Sequence, residues 1–368
     1  MINKKKILFS TSSLCIGGAE KFLVSLVNKL DYSKFECIII SYSENNPLAT
    51  KLNKEVELKV FPRNYKFDLK PLIITRQFIK TQNPDLLFCL GFFSFFLTHI
   101  STLLSFKKKR RIISYHTTIH RNKKDRLLMK FYSRLMRNTD KIISVCNNQI
   151  NYTTKKYKIN PSYFTTIYNG VDTNYWRLPN SVDESLLIRN QYGIPPDAKV
   201  IIQTAAFRPE KNHKAAIDAF NRLYENGMNN MFLLLVGDGD LKSVIEDYVT
   251  TLNLNKRIIF TGNQDNVQPF YWASDIFTLT SKGVETFSIA ALEALNCGLP
   301  CVLTDIGGAN EMIENGVNGY LSKTNFEDIS EQWSNALLAS FDKKNISLAT
   351  KRKFSLDVMI TNYEKLLN

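Results

Sequence analysis

The feature that most constrains this chain is an alternation that runs through it twice: short apolar runs separated by stretches of helical spacing. In the first half KKKILFSTS, FECIIISYS, VELKVFP, DLLFCLG, RRIISYHT, KIISVC and YFTTIYNG read as strands. Helical segments such as Ala19–Leu30, Leu69–Gln82 and Asp125–Asn138 lie between them. The second half repeats the theme with AKVIIQTA, NMFLLLVGDG, RIIFTGN, DIFTLTS, PCVLTDI and NGYLSK, and with helices over His213–Asn226 and Lys242–Leu252. Strands alternating with helices build parallel β-α-β units, hence an α/β fold. Between residues 173 and 198 the pattern breaks into WRLPNSVDES and YGIPPDAK, the expected linker. The 368 residues therefore divide into two doubly wound domains, 1–175 and 176–354. Ligands of such sheets bind beyond the carboxyl ends of the strands, and two such domains would form a cleft.

The residues at those ends are the candidates for chemistry. Gly17-Gly18 follows the first strand and precedes a helix, so it can hold an anion or be a plain tight turn. It is not the G-x-G-x-x-G of a dinucleotide site. His116 stands just past the strand RRIISY, placed to bond a hydroxyl or move a proton, or to serve structure alone; His120 reads as loop. Arg208 and Lys211 follow VIIQTA and suit a diphosphate, Arg through a bidentate contact and Lys as a point charge; otherwise they are solvated loop charges. Asp238 and Asp240 sit among glycines of a tight turn, a poor metal site without a third carboxylate. In SKGVETFSIAALEALNCGLP, Glu285 precedes an apolar run and Glu293 lies eight positions later inside it. If Phe287–Asn296 is helical, its first N–H groups can bind phosphate. Glu285 can then accept from sugar hydroxyls and Glu293 from a vicinal diol such as ribose. The other reading is two surface glutamates on an amphipathic helix.

Charge and hydropathy bound the setting. Residues 1–175 carry a net +19 and residues 176–368 a net −5. The densest part, Lys107 to Arg137, has twelve basic residues and one acid, Asp125. That asymmetry favours an anionic partner for the first half, membrane surface or nucleic acid. No nucleic-acid module is recognisable, and the basic run lacks interleaved aromatics. Leu86–Phe106 is 21 residues without an acid, lysine or arginine, about a bilayer's thickness in length. Gly91 interrupts it, and a strand, a loop and a buried or membrane-touching helix fit it better. At the start of the chain the apolar run ILF is far shorter than the roughly 7–15 residues of an export signal. Six scattered cysteines show neither zinc nor disulfide spacing, so a reduced, cytoplasmic setting is expected.

Taken in order, the motifs are GGAE at 17–20, the strand-end His116, NGVD at 169–172, RPEKN at 208–212, GDG at 237–239, E-x7-E at 285–293, CGLP at 297–300 and DIGGANE at 305–311. This succession resembles, nearly end to end, the retaining glycosyltransferases of family four (glycosyl transferases group 1). The resemblance implies the GT-B architecture, two Rossmann-like domains facing each other across a cleft. The second domain would bind a UDP- or GDP-linked sugar and the first an acceptor, with a last helix at 355–368 crossing back onto the first. Gly17 and Gly18 would approach the donor, and Arg208 and Lys211 would neutralise the departing diphosphate. Glu285 would hold the donor sugar, Gly237 and the N–H groups of Phe287, Ser288 and Ile289 would complete the donor site, and Glu293 would hold the ribose. His116 would contact the sugar near the reacting carbon. No divalent metal and no cofactor are expected of such a hexosyltransferase.

Two departures stand out. Many members read E-G-F-G where this chain has ETFS, and many carry an arginine at the position of Ala206, for which Arg208 is expected to compensate. Members with so basic a first domain often act on lipid-linked acceptors. The expectation is therefore a peripheral enzyme on the inner face of the cytoplasmic membrane, docked through its basic face and the apolar Phe92–Phe106 segment. It would add a sugar to a lipid-linked saccharide for a bacterial surface polysaccharide such as lipopolysaccharide. The alternatives are a 2-epimerase-like sugar-nucleotide enzyme on the same fold and a basic nucleic-acid-binding protein.

Overall fold

The computed structural model describes residues 4–65, 68–103, 109–116, 123–136, 139–283 and 285–368, the side chains of 123–126 excepted. His120, the end of the 86–106 segment and much of the basic run between 107 and 137 lie outside the described residues. The chain divides into two compact units, one of residues 1–169 and 359–368, the other of residues 170–358.

The first unit runs β1 (Lys5–Thr11), α1 (Gly18–Lys29), β2 (Phe35–Ser41), β3 (Glu57–Val60), α2 (Lys70–Gln82), β4 (Leu86–Leu90), α3 (Phe92–Thr102), β5 (Arg110–Tyr115), α4 (Lys123–Met136), β6 (Lys141–Ser144), α5 (Asn147–Tyr157) and β7 (Phe164–Thr166). Its strands pair in parallel in the order β3-β2-β1-β4-β5-β6-β7. Strand direction of travel reverses beside β1, which places the switch point between β1 and β4. The central strands are buried on both faces and read as continuous apolar runs, such as LLFCL of β4, for that reason.

The long apolar segment resolves into β4, Gly91 at φ +82 and α3. No residue of α3 is exposed: Phe95, Leu97 and His99 are buried and the remaining aromatics pack against the sheet. Of the Phe92–Phe106 side chains expected to touch a membrane, those of α3 are thus spent on the domain's own core, while Leu103 is exposed and residues 104–106 lie outside the described residues. Part of the basic run is likewise internal. Arg110 donates to the Leu366 carbonyl (2.7 Å), Arg111 contacts the buried His99 ring (2.6 Å) and Lys109 donates to Asn83 (2.7 Å). Among the described residues no helix is long and apolar enough to cross a membrane.

The second unit runs α6 (Val182–Gln191), β8 (Lys199–Thr204), α7 (His213–Glu225), β9 (Met231–Val236), α8 (Lys242–Thr251), β10 (Ile258–Gly262), α9 (Gln268–Trp272), β11 (Ile276–Leu279), α10 (Ile289–Asn296), β12 (Cys301–Thr304), α11 (Ala309–Met312), β13 (Gly319–Ser322), α12 (Phe326–Leu338) and α13 (Lys343–Phe354). Its six parallel strands are ordered β10-β9-β8-β11-β12-β13, with the switch point between β8 and β11. The core gathers α7, α12 and the sheet around the fully buried Trp333, whose indole N–H donates to Thr278 (3.0 Å).

The segment read as a linker, 173–198, is not irregular throughout, because α6 occupies its middle. α6 buries little apolar surface and is held by Arg189, whose guanidinium donates to the carbonyls of Ala273, Pro195, Pro196 and Ala198 and pairs with Asp275 (3.0 Å). The unit boundary falls at residue 169. Val171 N–H donates to the Phe354 carbonyl and Leu356 N–H to that of Val171, which ties the start and end of this unit together. A last helix, α14 (Leu356–Leu367), follows; its Tyr363 packs on Phe22 and Phe88 of the first unit.

Candidate donor site at the second switch point

In the second unit the loops that leave β8 and β11 meet where the strand order reverses, the position at which a doubly wound sheet binds ligands. Two buried polar side chains staple them. Thr280, just past β11, donates toward the carbonyls of Lys211 and Asn212 (3.2 and 3.1 Å), and Gln203 of β8 donates to the Lys211 carbonyl (3.2 Å). Lys282 N–H donates to the Glu210 carbonyl (2.7 Å). With their backbones fixed, the loops bring Lys211 Nζ to 2.5 Å from Glu285 Oε2 across 74 residues of sequence. The Ser281 hydroxyl donates to the same carboxylate oxygen (3.2 Å). Both charged side chains are about one-fifth exposed (23% and 19%), so the pair is shielded yet open to a ligand.

Two glycines permit this packing. Gly237, at φ +142, lies so close to the loop after β8 that a Cβ would stand 2.2 Å from the Ala205 carbonyl oxygen. Gly307, at φ +58, passes the Glu285 backbone, where a Cβ would meet its carbonyl oxygen at 2.1 Å. Any other residue at either place would push apart the loops that carry the ion pair. Gly237 thus serves the site by close approach of backbone to backbone.

Helix α10 begins four residues after Glu285, at Ile289. Ser288 is its N-cap and accepts from Ala291 N–H (3.2 Å), while Phe287 is buried against the Phe354 ring (centroids 5.5 Å apart). In the chain's ETFS motif the Ser288 hydroxyl therefore fixes the helix start. Helix geometry leaves the N–H groups of Ile289 and its neighbour without intrahelical acceptors, which gives the helix end its positive potential. One turn along, Glu293 Oε2 accepts from the buried Tyr271 hydroxyl (3.3 Å). Burial, and then the Glu293 charge, push the Tyr271 hydroxyl well above its ordinary pKa, so it stays a donor. Trp176 packs on Tyr271 and Tyr175 on Trp176, making an aromatic wall beside Glu293.

Arg208 stands apart from this cluster. It caps the short 3-10 turn Pro209–Lys211 with its side chain exposed, and it makes no ion pair among the described residues. His213, at the start of α7, is buried, stacks on Phe207 (4.1 Å) and bonds the Ala205 backbone; burial, then Lys211, lower its pKa to about 4. Its folded value lies below the roughly 6.5 of an unfolded histidine. The stability it confers is complete above that value and is lost as pH falls toward 4. We expect Tm to drop steadily between about pH 6.5 and 4, and His213→Gln to flatten that slope in a calorimetric pH series; an unchanged slope would contradict it.

In the first unit, Gly17 is the N-cap of α1 and Gly18 its first residue, at the end of the β1 loop. His116 follows β5, half-buried, its ring 4.6 Å from that of Phe22 on α1 and its Nε2 3.2 Å from the Ser114 hydroxyl. Burial lowers its pKa to about 4, so it is neutral at physiological pH. The structure therefore gathers Lys211, Glu285, Glu293, Phe287, Ser288, Ile289 and Gly237 in one unit and Gly17, Gly18 and His116 in the other. Gln203, Thr280, Ser281 and Tyr271 escape sequence reasoning, for each is an ordinary strand or helix residue until its partner is known.

Residues 16–175 match the family model "Glycosyltransferase Family 4" and residues 185–352 the model "Glycosyl transferases group 1". The N-acetyl-alpha-D-glucosaminyl L-malate synthase of Bacillus anthracis is 33% identical over 50% of this chain and 46% of its own. An Escherichia coli UDP-Gal:alpha-D-GlcNAc-diphosphoundecaprenol alpha-1,3-galactosyltransferase is 28% identical over 58% of this chain and 54% of its own. The chain thus spans about half the length of these two relatives. Anabaena HepE, crystallised with UDP, superposes with a TM-score of 0.82 at 18% identity, over 99% of both chains. The chain belongs to the family-four, group 1 glycosyltransferases, and its two parallel-sheet units are those of the GT-B fold.

Proposed function

We propose that the protein is a retaining, metal-independent glycosyltransferase that moves a hexosyl group from a UDP- or GDP-sugar to a hydroxyl of a lipid-linked saccharide. The observation that carries this reading is the Lys211–Glu285 pair at the β8/β11 switch point, beside the start of α10 and in the same unit as Glu293. A sugar nucleotide matches that sequence of groups: hydroxyls for Glu285, a diphosphate for Lys211 and the helix end, and a ribose for Glu293. In the reaction the acceptor oxygen bonds to the anomeric carbon on the face the diphosphate leaves. The bond to the diphosphate breaks with its electron pair, and the acceptor proton passes to that leaving oxygen. Lys211 and the helix end stabilise the charge that develops there, which is the part a metal ion would otherwise play. The neutral His116 imidazole would bond the donor sugar, with Gly17 and Gly18 alongside. The acceptor class follows the printed substrate of the Escherichia coli relative, a diphosphoundecaprenol-linked sugar. Its site would be the first unit, with the enzyme peripheral on the inner membrane face and working in surface polysaccharide synthesis.

Thermal shift against a panel of UDP- and GDP-sugars tests the donor half. A donor at about 100 times its Kd should add roughly 2.7 kcal/mol of stability. No shift with any sugar nucleotide would remove the basis for the reading. The exposed Arg208 is expected to contribute less than Lys211: Arg208→Ala should lower kcat by about tenfold, near 1.4 kcal/mol. Unchanged kinetics would leave Lys211 and the helix end as the whole diphosphate clamp.

A further inference from the structure

Helix α4 keeps an outward face that leaves large apolar side chains exposed. At 100° per residue, Met129, Tyr132, Ser133 and Met136 form its inward side; Met129, Ser133 and Met136 are buried, and Tyr132 stacks on Phe92 of α3. The opposite arc carries, in angular order, Lys130, Arg134, Leu127, Phe131, Leu135 and Leu128; Leu135 is half-buried against the core and the other five are exposed. Leu127 is 69% exposed, Phe131 45% and Leu128 41%. Neither Lys130 nor Arg134 has an ion-pair partner among the described residues. Three large apolar side chains bordered by two cations on one helix face have the pattern of an element that lies in a bilayer interface. Phe131 also packs edge-on against Phe96 (5.9 Å), so the face is braced by α3 beneath it.

We infer that this outward face of α4 is the surface by which the protein docks on an anionic lipid bilayer. The apolar side chains enter the headgroup boundary and the cations pair with lipid phosphates. A second copy of the chain is a worse occupant. An isologous contact through this face would set Lys130 and Arg134 close to their own copies, and the first 175 residues already carry a net +19. A bilayer of anionic lipid accepts both kinds of side chain. The role of the surface, bringing the enzyme to its substrate, rests on the lipid-linked acceptor proposed above; the surface itself rests on exposure and charge. It also relocates the contact from the apolar α3, whose side chains are interior, to its neighbour.

The test is cosedimentation with vesicles of phosphatidylglycerol mixed with phosphatidylcholine, and with phosphatidylcholine alone. The wild type should bind the anionic vesicles, release with added salt, and leave neutral vesicles largely unbound. Leu127→Ser/Phe131→Ser should weaken binding at least tenfold, and Lys130→Gln and Arg134→Gln about fivefold each. Phe131 also packs on Phe96, so Leu127→Ser alone, at a side chain 69% exposed, is the control that should hold the melting temperature and still weaken binding. Equal binding of the double serine variant, or equal binding to neutral vesicles, would overturn the assignment. So would a concentration-dependent dimer abolished by the same substitutions, which would make the face a self-contact. Transfer to a water-soluble acceptor analogue, measured in parallel, should be unaffected by Leu127→Ser/Phe131→Ser. Its absence in the wild type would count against the enzymatic reading and leave the docking result standing.

Discussion

Lys211→Ala is expected to lower kcat for sugar transfer by about a hundredfold or more, a loss near 2.7 kcal/mol of transition-state stabilisation. The charge that Lys211 meets in the structure is Glu285, 2.5 Å away and shielded. That contact has two explanations with different consequences. If the pair only holds the loops after β8 and β11 together, Lys211→Ala strands a shielded carboxylate. Tm then falls, and Lys211→Ala/Glu285→Gln, which removes both charges, recovers most of the loss. If the pair is a resting arrangement that a donor opens, the double variant regains stability but no activity, since both functional groups are gone. We expect the second result. The loops are already fixed without the pair, by Thr280, Gln203 and the Lys282–Glu210 bond. Glu285→Gln alone should also cost about a hundredfold in kcat, because an amide accepts with only one oxygen where sugar hydroxyls need acceptors. Recovery of turnover in the double variant would make the pair a structural clip and move the chemistry elsewhere.

How much of this was legible in the sequence depends on what holds each element. β4 and β9 announce themselves as LLFCL and MFLLLV because a parallel strand buried on both faces has no polar side to show. α10 and α7 begin within two residues of their expected starts, since a capping serine or a strand-end loop marks each. α6 was hidden because its support is a buried arginine bonded to four carbonyls, and hydropathy carries no trace of that. α3 misled for the opposite reason. Its composition suits a membrane as well as a core, and only its packing between sheet and neighbours decides. The site residues were visible singly, by their places at strand ends. Their pairing was not: Lys211 and Glu285 meet because the strand order puts β8 next to β11, a fact of topology and not of spacing. The same fact separates Lys211 from Arg208, which sequence treats as equals and the structure leaves exposed.

Glu293→Ala should act on binding where Lys211 acts on rate, raising donor KM by about thirtyfold with kcat within about threefold of wild type. Each hydrogen bond to a charged group contributes roughly 1.5–3 kcal/mol, so losing a carboxylate that receives two ribose hydroxyls is costly. The ribose is remote from the bonds that change, however, and its contacts are the same in ground and transition state. Such uniform binding appears in KM. The local structure supports a fixed acceptor: Tyr271 is buried, stays protonated and donates to Glu293 Oε2, while Trp176 packs over Tyr271. Tyr271→Phe should therefore raise KM a few-fold by freeing the carboxylate to rotate. A donor lacking the ribose 2′-hydroxyl supplies the decisive comparison. Wild type should bind it about tenfold less well than the ordinary donor, while Glu293→Ala should bind the two alike. Were Glu293→Ala to lower kcat and leave KM unchanged, the glutamate would be touching the reacting sugar, and the division of labour along α10 would have to be reversed. Glu293 lies one turn inside the helix that starts at Ile289, so it is carried about 6 Å along the axis from that helix's first N–H by geometry alone. That distance allows one short helix to grip a diphosphate at its tip and a ribose along its flank, and it is why the two glutamates should fail in different kinetic parameters.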